Sequence, residues 1–207
     1  MQVTAPRSSQ GSLKDEIVRV AVELGTELGE DGLTMRGIAS RLGVSATALY
    51  QHFEGKASIL RAIRFHGLGM LNKELVDCFD SGEPLACIES LSKKYIHFAR
   101  KNSWLYGVLF SGEAFDYSAL TDEEQQYVFE AHAKVIESLK KAKDAGQLRD
   151  GVDVETAPLL IWAANHGLAM LMLHGRIGSQ PGAMHVEDEN AFIDRFVENS
   201  VRGLMRA

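Results

Sequence analysis

Apolar residues recur three and four positions apart along almost the whole chain, and the two-residue alternation of half-buried strands is nearly absent. This pattern predicts an all-α protein of about nine helices. Ser12 is placed to cap a first helix with an inward stripe of Ile17, Ala21, Leu24 and Leu28, stopping at Gly29 before the turn Glu30-Asp31-Gly32. Thr34 caps a short second helix with Ile38, Ala39 and Leu42 inward, and Gly43 closes it. Ser45 opens a third helix, of about seven or eight residues, that carries Leu49 and Phe53 inward. A long fourth helix starts near Lys56 and runs to about Phe79.

Pro84 marks the next start, and the helix to Lys101 buries Ile88, Leu91, Tyr95 and Phe98. A short apolar piece follows from Trp104 to Phe110, then a loop from Ser111 to Leu120. Thr121 and Glu124 form a capping box for a helix that stops at Gly146. Helices at about Val154 to His174 and Glu187 to Arg206 complete the chain, separated by a flexible stretch with Gly175, Gly178, Pro181 and Gly182. Two units are expected: residues 1–66, with the linking helix continuing to about 79, and residues 67–207.

Two short helices joined by Leu42-Gly43-Val44-Ser45 have the dimensions of a helix-turn-helix. Gly43 can take the left-handed conformation that stops the second helix, Val44 packs between the helices, and Ser45 accepts the first free amides of the third. Ala39 is small where the two axes approach. With Leu49 and Phe53 inward, Thr47, Tyr50 and Gln51 form an exposed stripe at i, i+3 and i+4. Such a stripe suits a major groove. Gln51 can bond a base edge twice, Thr47 offers a methyl and a hydroxyl, and Tyr50 offers a flat face with a polar tip. Arg36, His52 and Lys56 flank it with donors for phosphates or, from Arg36, for guanine. The same periodicity also describes a solvated face on an ordinary three-helix module.

The run from Gly32 to Lys56, with its Leu49-Tyr50-Gln51-His52-Phe53 core followed by Lys56, resembles the signature of the TetR (tetracycline-repressor) family almost position for position. The resemblance implies that Ala46, Thr47, Tyr50 and Gln51 face bases, that Thr34, Ala48, His52 and Lys56 lie along phosphates, and that Arg36 reaches the groove edge. Ser45 joins these as a candidate DNA contact, and Ala48 offers only its backbone. The implied protein is a transcriptional repressor that binds a palindromic double-stranded operator as a homodimer and leaves it when a small-molecule effector binds the C-terminal unit. In the family, the last two helices pair as a four-helix bundle. The signature covers only about the first 60 residues. Leu160 to Ala169, with Trp162, His166 and Gly167, looks like the Trp/His-Gly element of one C-terminal subgroup.

Trp104, Phe110, Phe115, Trp162, His166 and Met170 are the candidate lining of an effector pocket; plain core is the alternative for each, and for His166 a satisfied interior histidine. Ala163, Ala164 and Gly167 permit close helix packing, and Phe192, Phe196 and Leu204 make an apolar stripe on the final helix, so the last two helices are the candidate dimer interface.

Charge adds to this picture. The formal net charge is −6, yet residues 1–66 carry eight basic and seven acidic side chains while residues 67–207 carry 14 and 21. An acidic body with locally clustered bases at one end suits a selective DNA binder better than an indiscriminate one. Cys78 and Cys87 match neither a disulfide framework nor a paired metal motif, and reduced thiols in the cytoplasm are expected, with a redox pair as the lesser alternative. No signal-peptide core and no membrane-length apolar run stands in the sequence. No nucleotide-binding, hydrolase or zinc-protease motif is present, so no enzyme and no cofactor are expected. His97, His132, His166, His174 and His185 lie on separate segments, which leaves a metal-responsive regulator, or a DNA-binding factor without an effector, as the alternatives.

Overall fold

A computed structural model describes residues 12–79, 82–110 and 116–206. The described residues form nine α-helices: α1 (Leu13–Gly32), α2 (Met35–Leu42), α3 (Ala46–Tyr50), α4 (Lys56–Val76), α5 (Pro84–Lys101), α6 (Ser103–Phe110), α7 (Asp122–Asp144), α8 (Ala157–Leu173) and α9 (Glu189–Arg202). Single 3₁₀ turns follow α4 at Asp77–Phe79 and precede α7 at Tyr117–Ala119. Ser12 and Asp15 close a reciprocal capping box at the start of α1, and Thr121 and Glu124 do the same for α7. Among the described residues no helix is long and apolar enough to cross a membrane.

Gly29 has φ +73°, which breaks the helical path of α1 one turn before its end. Leu28, expected on the inward stripe with Ile17, Ala21 and Leu24, is therefore 59% exposed, and Leu33 is buried at this end instead. The third helix is also shorter than its apolar spacing suggests. It holds five residues because the amides of His52 and Phe53 both turn back to the Leu49 carbonyl, which seats Phe53 in the core just beyond the helix.

In the body, α5 is the central element, touching α4, α6, α7, α8 and α9. The stretch between α8 and α9, expected to be flexible, contains two short parallel strands, β1 (Ile177–Gly178) and β2 (Met184–His185). Helix α9 ends at Arg202, four residues before the expected end. The tail folds back instead: Arg149 donates its amide to the Leu204 carbonyl, and the Arg206 amide donates to the Gln147 carbonyl. Leu204 thus lies in a turn, off the α9 stripe.

Two glycines on α4 allow other helices to approach. A Cβ on Gly67 would meet Leu105 and Leu109 of α6 at 2.9 and 3.0 Å, and one on Gly69 would meet the Tyr127 ring of α7 at 2.8 Å. Gly25 of α1 does the same for Trp104 of α6, whose Cη2 lies 2.1 Å from where a Cβ would stand. Helix α6 is thereby wedged between the N-terminal module and the body.

Candidate nucleic-acid interface and interior cavity

Local capping builds the N-terminal site. Thr34 Oγ1 accepts the Gly37 amide at 3.0 Å and Ser45 Oγ accepts the Ala48 amide at 3.2 Å, satisfying donors that the first turns of α2 and α3 leave open. Gly43, at φ +70°, lets the Val44 amide return to the Ala39 carbonyl and fixes the turn between the two helices. Leu49 is fully buried among the buried Ile38, Ala39 and Phe53. Arg41 forms a bidentate pair with Glu27 of α1, at 2.7 and 3.2 Å, which pins α2 to α1. That pairing lowers the Glu27 carboxyl pKa and raises that of Arg41, first by hydrogen bonding and then by charge.

The opposite face of α3 is open. Thr47, Tyr50, Gln51 and His52 are exposed on one short surface, with Tyr50 at 56%, and Ala46 and Ala48 are half-buried. Gln51 keeps right-handed helical φ and ψ, so it continues the stripe of Thr47 and Tyr50 although it caps the helix. Arg36, Thr34 and Ser45 are exposed at the helix starts. Lys56 is half-buried and its ammonium donates to the Glu30 carbonyl, near the α1–α2 turn. Ammonium carries three donors, so this bond leaves it two. Thr34 and Ser45 spend a lone pair on their caps but retain their hydroxyl donors.

The body forms a half-open cavity of about 340 Å³ between α4, α5, α7 and α8. Its wall is largely apolar, with Leu68, Leu71 and Leu75 from α4, Leu91 from α5, Val128 and Val135 from α7, and Ile161 from α8. Phe110 and Trp162 stand on this wall. Trp104, His166 and Met170 do not, and Phe115 lies outside the described residues. Trp104 is taken up by Gly25 of α1. His166 faces a cluster of rings: Tyr106 Oη lies 2.7 Å from His166 Nδ1 and 2.9 Å from Tyr95 Oη, and the Trp162 indole N–H donates to Tyr95 Oη at 3.0 Å. The i, i+4 spacing of Trp162 and His166 is what delivers both to the same pair of tyrosines.

Burial governs the titration of this cluster. It pushes the Tyr95 hydroxyl up to about 12 and that of Tyr106 higher still, and it lowers the His166 imidazole below its usual value. All three are therefore neutral near pH 7.

The cavity also holds polar residues that the sequence reading passed over. Asn72 and Asn165 are 4% and 2% exposed. Asn72 Oδ1 accepts the Ala131 backbone amide of α7 at 3.0 Å, and Asn165 Nδ2 donates to Ser92 Oγ at 3.0 Å. The signal for Asn72 is a polar residue spaced i+4, i+1 and i−3 from Leu68, Leu71 and Leu75, inside the apolar stripe of α4. Among the described residues no group of three or more histidine, cysteine or acidic side chains gathers as a metal site would require.

A short helix-turn-helix joined through a long helix to a helical body is the architecture of a DNA-binding regulator. Residues 17–63 match the family described as bacterial regulatory proteins, tetR family, and residues 88–199 match the tetracyclin repressor-like C-terminal domain. The second match alone spans more than half of the chain, which belongs to the TetR family, a family of regulatory proteins rather than enzymes. The tetracycline repressor protein class A from transposon 1721 of Escherichia coli is 49% identical over 47 residues, 23% of this chain and 22% of that protein. The HTH-type transcriptional repressor DrrR1 of Streptomyces coeruleorubidus is 28% identical over 94 residues, 45% of this chain and 34% of that protein. The similarity to these relatives thus spans between 22% and 34% of their length.

Solved structures extend the likeness to the whole fold. A protein of unknown function from Rhodococcus sp. RHA1 superposes with a TM-score of 0.73 at 24% identity, over 95% of this chain and 97% of its own. The ketosteroid transcriptional regulator KstR2 of Mycobacterium tuberculosis does so with a TM-score of 0.59 at 17% identity, over 96% and 98%.

Proposed function

We propose that this chain is a cytoplasmic, sequence-specific transcriptional repressor that binds a palindromic operator as a homodimer and is released by a small, largely apolar effector held in the cavity of the body. The observation that carries the DNA-binding part is the surface of Thr47, Tyr50 and Gln51, held open on a helix whose other side is locked by Leu49 and two side-chain caps. A polar stripe of that kind, rigidly presented, can enter a major groove, with Gln51 reading a base edge and Arg36, His52 and Lys56 placed toward the backbone.

A five-residue helix reads only a few base pairs, so a second copy about one helical turn away is needed for specificity. The outer face of α8 supports that pairing. Leu160, Ala163, Ala164, Gly167 and Leu171 lie along one side and are all exposed, with Leu160 at 68%. Gly167 costs about 1 kcal/mol in a helix relative to alanine, and among the described residues no atom beyond its own stretch of helix lies within 4 Å of where its Cβ would stand. Close approach of a partner helix gives this glycine a purpose. Phe192 and Phe196, half-buried on α9, continue the apolar surface.

The route from cavity to DNA module runs through α4 and α6. Phe110 stands on the cavity wall at one end of α6, while Trp104 at the other end presses on Gly25 of α1. Leu105 and Leu109, between them, rest on Gly67 of α4, the helix that starts beside α3. A ligand that displaces α6 would shift both helices that hold the reading module, and effector and operator must then weaken each other's binding by the same factor.

The test is capture of genomic fragments by the purified protein, followed by gel shifts on the recovered sites with wild type, Tyr50→Ala and Gln51→Ala. Recovery of two-fold symmetric sites lost by both variants supports the reading. Equal binding to all fragments by all three proteins would refute it.

A further inference from the structure

The effector site proposed above carries a mark of its ligand's chemistry. A backbone amide is only a donor, so the Ala131 N–H fixes the side-chain amide of Asn72 with its oxygen toward α7. The Nδ2 group is then turned elsewhere. It has no hydrogen-bond partner among the described residues and is not among the sealed, unpartnered atoms of the interior, and the cavity is the space that Asn72 lines. A residue 96% shielded from solvent thus offers two N–H hydrogens to an apolar chamber, where an unmet donor is costly.

The rest of the wall narrows the answer. Lysine, arginine, aspartate and glutamate are absent from the described lining, so no permanently charged side chain faces a carboxylate or an ammonium there, and His132 on the same wall adds an imidazole that can serve a neutral oxygen as a second hydrogen-bonding partner. The ring faces of Phe110, Trp162 and Phe129 could attract a cation, but the Asn72 donor opposes one. The hydroxyl of Tyr95 and the indole N–H of Trp162 already bond each other.

Resting on the effector reading, we infer that the ligand is a neutral, mainly apolar molecule bearing a carbonyl-type oxygen, which accepts a hydrogen bond from Asn72 Nδ2. The 340 Å³ chamber takes a molecule of one or two rings, at the small end of ordinary ligand sites. Asn72 sits on α4 and holds α7 through Ala131, one turn from where Tyr127 of α7 donates to the Gly69 carbonyl of α4. A carbonyl bound there pulls on the α4–α7 contact itself.

Calorimetric titration of the full chain with four probes of one shape tests this: acetylnaphthalene, its hydrocarbon isostere isopropenylnaphthalene, naphthoate and naphthylethylammonium. The ketone should bind roughly tenfold tighter than the hydrocarbon, and both ions more weakly than either. In Asn72→Leu the ketone preference should fall to about onefold, with the hydrocarbon still bound. The ratio in wild type decides the matter even where the variant does not fold. Equal binding of ketone and hydrocarbon, or tightest binding of an ion, overturns the inference and leaves the cavity as an effector site. Failure of all four to bind removes the site and the inference together. A ketone preference without release of operator DNA upholds the ligand class and refutes the effector role.

Discussion

Two exposed helix faces of this molecule differ in chemistry rather than in exposure. On α3, Tyr50 is 56% exposed beside Thr47 and Gln51; on α8, Leu160 is 68% exposed beside Ala163, Ala164, Gly167 and Leu171. The first face is polar, mounted on a helix of five residues, and made rigid by caps and a buried leucine. The second is apolar, lies on a helix of 17 residues, and is flat through its alanines and glycine. The proposed reading of a hydrated polyanion needs hydrogen-bonding groups held in fixed positions, whereas the proposed meeting with a second copy needs area without charge. Exposure alone therefore tells little about function, and the chemistry of what is exposed tells more.

That contrast can be broken most severely from beneath. Leu49→Ala removes the fully buried support of the reading face and should destabilise the module by about 2–5 kcal/mol in urea denaturation. Tyr50, the next residue, is exposed, and Tyr50→Ala should leave the midpoint unchanged while weakening operator binding in a gel shift. Equal midpoints for both variants would mean that inside and outside are wrongly assigned.

The apolar face is tested by Leu160→Glu with Ala164→Glu. Both positions are exposed, so the chain should fold, sediment as a monomer, and bind operator about 100-fold or more weakly through loss of the second half-site. A dimer that survives this pair would move the interface elsewhere. Gln51→Ala has a smaller and more selective effect: selection from random DNA should show one relaxed position per half-site, about 1–3 kcal/mol of lost discrimination. An unchanged motif would remove Gln51 from the reading face.

The smallest effect is on pH dependence and belongs to the body alone. Burial lowers the imidazole pKa of His166, and burial together with Arg100 lowers that of His97, so near pH 6.5 these two side chains hold fewer protons in the folded chain than in the unfolded one. Stability should therefore decline as pH falls through about 6.5, and His166→Gln should flatten part of that slope between pH 7.5 and 5.5. An identical slope in the variant would show that His166 does not contribute.

The reading module was largely legible in the sequence because its determinants are local: Thr34 and Ser45 as caps, Gly43 as the left-handed stop, and the spacing of Leu49. Leu28 defied its periodicity because the break at Gly29 comes immediately after it. The cavity was much less legible. Phe110 and Trp162 stand on it, but Trp104 is consumed by a glycine 79 positions earlier and His166 by two tyrosines on other helices, which are tertiary facts that spacing along one helix does not encode. Asn72 was visible as a flaw in an apolar stripe, yet its meaning depends on which atom meets Ala131.

The contact between Gly25 and Trp104 also constrains how this sequence can change over time. Any side chain at position 25 would occupy the space of the indole ring, so substitution there is tolerated only after Trp104 has become smaller. The two positions are thus bound by order: Trp104→Leu first and Gly25→Ala second is a passable route, and the reverse begins with an overpacked joint. Non-additive stability in the double variant, milder than the two single losses together, is the signature of that dependence. The joint lies between residues 17–63 and 88–199, which match two separate family descriptions, so it is a point where divergence of one half must wait on the other.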